Sequence, residues 1–235
     1  MADIQALVFD TYGTVVDWRG GVLEALRALG RSRSLTVDWE AFLDDWQQTR
    51  PILDRVNRGE LPWMTMEAVH RQALTEPLAR YELSGIITDV EIDGLVEARW
   101  RLEGWPDAVP GLTRLKQRYV ISPLSNASFI GMVKLAKWAG LPWDCVITAE
   151  NARCYKPHPE VYRTAVSLLG LPPAQVMLVA AHNYDLRAAQ AEGLHTAFVP
   201  RPTEYGPRQT TDLTPEGDWD VIAKDFLELA ATLDS

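Results

Sequence analysis

Cysteine is nearly absent from this chain: Cys145 and Cys154 are the only two among 235 residues. Two cysteines cannot build a disulfide framework, and their spacing is not that of a metal site, so the composition fits a reducing cytoplasm. Positive charge is also scarce. The 23 Lys and Arg stand against 32 Asp and Glu, a net charge of −9 with a sequence pI near 5.0. That balance argues against non-specific binding to nucleic acid or to an anionic membrane surface. No apolar run is long enough to span a bilayer, and no basic start leads into an apolar h-region. Internal repeats and low-complexity tracts are missing too. What is present, 47% hydrophobic and 23% charged residues, is ordinary for a globular chain that buries one large domain or a core with a smaller insert.

Short apolar runs at 7–9, 119–124, 145–148, 176–181 and 196–199 read as buried strands. Helical patterns lie between them, as at 128–140 and 159–170, with Gly140 and Gly170 placed to end them. Strands alternating with helices imply a doubly wound α/β fold, a parallel sheet covered on both faces. Residues 18–103 differ, with no convincing strand and several amphipathic helical stretches. In "WEAFLDDWQQTRPILDRV" (39–56) the apolar residues keep helical spacing, and Pro51 should kink or split that helix. Further helical patterns occupy 63–80 and 88–102, and Trp39, Trp46, Trp100 and Trp138 sit at core spacing. The Pro/Gly-rich "GWPDAVPG" (104–111) marks the return to the sheet. The expected division is a core of 1–17 plus 104–235 and an inserted helical cap of 18–103.

Ligands of such sheets bind beyond the carboxyl ends of the strands. Polar residues collect there: Asp10 and Thr14, Ser125 and Asn126, Lys156, then His182, Asn183 and Asp185. A carboxylate at a strand end facing helix N-termini stays ionised and can attack an electrophilic carbon or phosphorus. A turn-capping aspartate is the alternative for Asp10, and helix N-capping before 128 is the alternative for Ser125 and Asn126. A cation at Lys156 would keep Asp10 ionised.

The segments "FDTYGTVVD" (9–17), "SPLSN" (122–126), "YKPHPEVY" (155–162) and "AAHNYD" (180–185) follow one another as in the haloacid dehalogenase superfamily. The chain most resembles its 2-haloacid dehalogenase (type II) branch. That resemblance implies the Rossmann-like haloacid dehalogenase fold and hydrolysis of a small 2-haloalkanoic acid to a 2-hydroxy acid through an aspartyl ester. It makes Asp10 the nucleophile, Lys156 its neighbour, Ser125 and Asn126 contacts of the substrate carboxylate, and Tyr162 a residue near the substrate. Phosphatases of the superfamily resemble D-x-D where this chain has Tyr12, and carry two acids four residues apart where it has Ala181 and Asp185. A halide leaves without a proton, so the missing acid at 12 fits dehalogenation. Loss of a hard ligand at 181 fits catalysis without Mg²⁺ or another cofactor.

Two positions depart from the dehalogenase pattern. The cap arginine of the family falls at Gln47, with Arg50 one helical turn away as the substitute anchor. In "AAHN" (180–183), His182 stands where the better-known enzymes carry serine and asparagine around the hydrolytic water. It could bond or deprotonate that water beside Asp185. A structural histidine is the alternative. The segment "RPTEYGPRQ" (201–209) reads as a connector that is solvated or reaches the cap or a partner subunit, which leaves a homodimer open. The rival functions are a Mg²⁺-dependent phosphatase of a small metabolite and a catalytically weak binding or regulatory member.

Overall fold

The first strand sets the architecture because it has no polar face. In β1 (Ala6–Phe9) all four side chains are apolar and buried, which only a strand covered on both sides allows. The computed structural model describes residues 3–234; residues 1, 2 and 235 of the expected division lie outside them. After β1 the chain forms α1 (Trp18–Arg33), α2 (Trp39–Trp46), α3 (Arg50–Asn57), α4 (Met66–Ala73), α5 (Thr75–Arg80) and α6 (Asp89–Glu97), then a 3₁₀ turn at Ala98–Trp100. It continues through α7 (Ala108–Leu115), β2 (Val120–Ser125), α8 (Phe129–Ala139), β3 (Ile147–Thr148), α9 (Ala149–Ala152), α10 (Pro159–Leu169), β4 (Val176–Ala180), α11 (Asn183–Ala191), β5 (His195–Phe198), β6 (Val221–Ile222) and α12 (Phe226–Leu233).

All strand pairings are parallel, in the order β3-β2-β1-β4-β5-β6. The pleat divides the strands between two cores. Leu7, Phe9, Ile121, Met177 and Val179 face one side with Leu112 and Phe226. Ala6, Val8, Leu124, Leu178 and Ala180 face the other with Val161, Tyr162 and Leu186. The direction of winding reverses between β1 and β4, so the crevice at their carboxyl ends is the expected ligand position.

Several boundaries differ from the sequence reading. β2 and β5 are shifted by one residue, and only the last two residues of 145–148 pair. The edge strand β6 has just two residues, too few to show a period. Pro51 splits the pattern at 39–56 and becomes the second residue of α3, where its missing N–H costs nothing. Ser128 caps α8 by accepting from the Gly131 amide, so Ser125 and Asn126 are not its caps. Gly140 and Gly170 end α8 and α10 with φ of +67° each.

The helical residues between β1 and β2 dock beside the sheet edge through Tyr155. Its amide donates to Asn57 Oδ1 at 2.8 Å, Asn57 Nδ2 donates to its carbonyl at 2.9 Å, and its hydroxyl donates to the Met64 carbonyl at 2.5 Å. The ring stacks on Trp63 with centroids 4.8 Å apart. Among the described residues no helix is long and apolar enough to cross a membrane.

Candidate active site

Asp10 follows β1, and its amide still donates to Val179 at 3.0 Å, which carries the pairing with β4 one residue past the strand. Its carboxylate is 6% exposed yet fully bonded. Oδ1 accepts from Lys156 Nζ at 2.8 Å; Oδ2 accepts from Thr14 Oγ1 at 2.8 Å and from His182 Nδ1 at 3.0 Å. Thr14 Oγ1 in turn accepts from the Ala181 amide at 2.9 Å, tying the turn after β1 to the end of β4.

Lys156 is 2% exposed and bridges two carboxylates, Asp10 and Asp185. Asn126 fixes its backbone: Oδ1 accepts from the Lys156 amide at 2.8 Å and Nδ2 donates to its carbonyl at 3.4 Å. Asp185 has no exposure, and its other oxygen accepts from Tyr162 at 2.5 Å. Burial alone would raise the Asp10 pKa, but Lys156 and His182 outweigh it and hold the carboxyl well below the usual range. Burial opposes the charge on Lys156 too, and the two aspartates more than compensate. Asp185 is pulled upward by burial, with Lys156 opposing.

The connector 201–209 is part of the site. Arg201 forks onto Asp107 with bonds of 2.7 and 2.8 Å and donates from Nε to the Thr14 carbonyl at 2.9 Å. This anchorage brings Glu204, 2% exposed, to Nε2 of His182 at 2.9 Å, and Trp18 Nε1 donates to the same carboxylate at 2.9 Å. Burial disfavours the imidazolium, but Glu204 and Asp10 hold the His182 pKa well above 6.5. Gly13 makes room. It has φ of +91°, and a Cβ there would lie 2.0 Å from Glu204 Oε1.

Above these groups lies a cavity of about 360 Å³, walled on the far side by Gln47 and Thr49, α3, α4, the end of α6 and the 3₁₀ turn. Asp10, Tyr12, Ser125, Asn126, Lys156 and His182 line it. Ser125 Oγ is buried there without a hydrogen-bond partner among the described residues. Tyr12 donates to the Arg99 carbonyl at 3.4 Å, and burial raises its pKa well above 10, so the phenol stays protonated.

The cation on the far wall is Arg99. It is 5% exposed, its guanidinium lies 4.7 Å from the centroid of the Trp46 ring, and its Nε has no partner among the described residues. With the Gln47 amide turned so that its oxygen faces the guanidinium, Gln47 accepts from Nη2 at 2.5 Å and Nη1 at 3.2 Å. Burial lowers the Arg99 pKa to about 10, which still leaves it charged at neutral pH. Arg50 lines the cavity as well, but its side chain is 54% exposed and paired with Asp54 at 2.7 Å.

Several expected contacts are corrected by this geometry. Tyr162 does not line the cavity; its hydroxyl is spent on Asp185. Asn183 points into the 212–219 loop, donating to Asp212 and Thr214 and accepting from Glu216 and Trp219. Asp185 lies behind Lys156, away from the cavity, so it is not placed to hold water there. The Asn126 side chain serves the Lys156 backbone. Trp138 is 55% exposed and Trp100 lines the cavity, so neither is core. Arg99 and Glu204 went unremarked in the sequence. Leu95, Val96, Arg99 and Leu102 share one helical face, and an arginine on an apolar face was the available signal. Glu204 had no local signal.

The model of the haloacid dehalogenase-like hydrolases matches residues 4–193. An (S)-2-haloacid dehalogenase of Xanthobacter autotrophicus is 30% identical over 84% of this chain and 76% of its own length. An (S)-2-haloacid dehalogenase of Burkholderia cepacia is 29% identical over 86% of this chain and 87% of its own. A solved defluorinating L-2-haloacid dehalogenase superposes with a TM-score of 0.95 at 44% identity, covering 99% of this chain and 96% of that one. A second solved L-2-haloacid dehalogenase gives a TM-score of 0.93 at 43% identity, covering 98% and 99%.

Proposed function

The chain belongs to the haloacid dehalogenase-like hydrolases, and from that premise we propose that it hydrolyses small 2-haloalkanoic acids to 2-hydroxy acids through an ester on Asp10. The observation that carries this reading is an ionised, fully bonded Asp10 on one wall of a cavity whose other wall holds Arg99, a buried cation with no acidic partner among the described residues.

Displacement at Cα is in line, so the halide departs on the side away from Asp10, towards the helical residues and Arg99. The substrate carboxylate then lies beside the sheet edge, where the Ser125 hydroxyl lacks an acceptor among the described residues and Lys156 supplies charge. Asp10 gives an electron pair to Cα, the carbon–halogen bond breaks, and the halide leaves with inversion. Ester formation removes the negative charge at Nδ1 of His182. Its pKa falls, the proton passes to solvent, and the neutral imidazole, held by Glu204, takes a proton from the water that attacks the Asp10 carbonyl carbon. The tetrahedral carbon then breaks its bond to the substrate oxygen, which takes that proton from His182 and leaves as the 2-hydroxy acid, and the remaining Asp10 carboxyl proton passes to His182. We treat residues 18–103 as a cap on a core of 1–17 and 104–235, and place the enzyme in a reducing cytoplasm.

The phosphatase alternative fits less well. Lys156 occupies the space between Asp10 and Asp185 where a divalent cation would need those oxygens. Single turnover in H₂¹⁸O tests the reading: label should enter Asp10 first. Label appearing directly in the hydroxy acid, with none in Asp10, makes water the attacking group and overturns the covalent mechanism.

A further inference from the structure

Trp46 carries polar side chains on two flanks. The Arg99 guanidinium stacks over its ring, and the His70 imidazole meets the ring edge-on, with centroids 6.1 Å apart and planes at 77°. Trp46 Nε1 donates to the His70 carbonyl at 2.8 Å, fixing α4 against α2 and with it the place of the imidazole. His70 is 8% exposed and lines the cavity, and its Nδ1 has no hydrogen-bond partner among the described residues. Arg99 Nε is in the same state. Buried polar atoms left unpaired are costly, and two of them in one wall of a cavity point to a ligand that pairs them. Burial, reinforced by the Arg99 charge, keeps His70 neutral, so it offers an N–H without adding a second cation. Glu67, one turn earlier on α4, also lines the cavity, but its Oε1 already accepts from Ser128 at 2.5 Å and Trp100 at 3.2 Å.

We propose that His70 is a second halide-binding residue, which with Arg99 forms the cradle that receives the departing halide, the buried Trp46 ring backing both side chains. The inference rests on the dehalogenase reading above. As the Cα–halogen bond breaks, the electron pair leaves with the halogen; His70 keeps its proton and shares it in one hydrogen bond. A neutral donor matters most for the halide that most needs hydrogen bonds, so chloride should depend on His70 more than iodide.

The test is single-turnover esterification of 2-chloro-, 2-bromo- and 2-iodopropionate by the full chain, its His70→Phe variant and its His70→Gln variant. Loss of one hydrogen bond to a charged partner corresponds to about ten- to a hundredfold. The His70→Phe chloro rate should fall by that factor, the iodo rate by much less, and His70→Gln should restore the ratio. A packing defect alone slows all three acids equally, and that result overturns the proposal. Should His70→Phe fail to fold, a bromide-soaked crystal of the wild-type chain decides. Anomalous density within hydrogen-bond range of His70 and Arg99 supports the cradle, and density confined elsewhere overturns it. Failure of the wild-type chain to release any halide overturns the dehalogenase reading as well, whereas release with an unchanged chloro-to-iodo ratio in His70→Phe overturns only the role of His70.

Discussion

Glu204 meets Nε2 of His182 at 2.9 Å, from the far side of a ring whose Nδ1 is 3.0 Å from Asp10. One imidazole thus links the connector 201–209 to the nucleophile. Burial works against its charge, and the two carboxylates more than offset that, leaving its pKa well above 6.5.

A raised pKa in the folded state stabilises the fold fully below about pH 6.5, the ordinary histidine value, and the contribution fades as pH rises through the folded-state value. Glu204→Gln removes one source of the shift. Melting temperatures of wild type and variant should therefore differ more at pH 6 than at pH 9.5; an equal gap at both would show that the pair carries no proton linkage. Hydrolysis of the Asp10 ester should also slow by about 10²- to 10⁴-fold, the usual contribution of a positioned base. Halide should then appear as a burst followed by a slow phase.

Lys156 neutralises two buried carboxylates at once. Lys156→Met should cost about 3–5 kcal/mol in denaturant unfolding at pH 7, because removing one partner strands the others without compensation. The sign with pH follows: Asp10, now freed from Lys156, titrates at higher pH, so protonation relieves the repulsion and the deficit should shrink towards pH 4. Halide release should be lost at low pH, where a protonated Asp10 is a poor nucleophile, and stay impaired at higher pH, where the site lacks the Lys156 charge that holds the substrate carboxylate.

Much of this was legible in the sequence because it depends on local pattern. Apolar runs ending in Asp10, Ser125 and Ala181 announce parallel strands delivering polar groups to one edge, and the alternation of Leu7 and Phe9 with Ala6 and Val8 resolves into two covered faces. What stayed hidden depends on distant partners. Asn183 looked like a site residue by position, yet Asp212 and Trp219 claim it. Glu204 looked like connector, and only the fork of Arg201 on Asp107 aims that loop inward. Arg99 lies outside 47–50, where the resemblance places the cap arginine, because recognition needs a charge in the cavity and not at a given place along the chain.

Arg99 and Arg50 make competing claims on the departing halide, and burial separates them. Arg99→Ala should lower kcat/KM for 2-chloropropionate by about a hundredfold, in line with a lost charge-assisted bond in a buried site. Arg50→Ala should change it by only a few-fold, because that side chain is half exposed and already paired with Asp54, and exposed pairs are worth little. Gln47→Ala should fall between them, since it acts on the anion only by orienting Arg99. A larger loss from Arg50 than from Arg99 would return recognition to the cavity mouth.

Metal dependence gives the cheapest division between dehalogenation and phosphoryl transfer. A divalent cation at this sheet edge would need oxygens from Asp10 and Asp185, and the Lys156 ammonium already sits between them with both pKa values tuned to its charge. The position where a further acid would help is Ala181, whose amide donates to Thr14. Mg²⁺ dehydrates reluctantly and usually relies on substrate phosphate oxygens as well as carboxylates; a haloacid provides none. Halide release should therefore survive exhaustive EDTA and gain nothing from added Mg²⁺. Phosphate esters should be turned over negligibly with or without metal, because the phenol of Tyr12, its pKa pushed above 10 by burial, is a far weaker general acid for the departing oxygen than the carboxylic acid it replaces. Mg²⁺-dependent phosphate release at a rate matching that of any haloacid would require Lys156 to be displaced from its two carboxylates, and would overturn the assignment of the reaction while leaving the family intact.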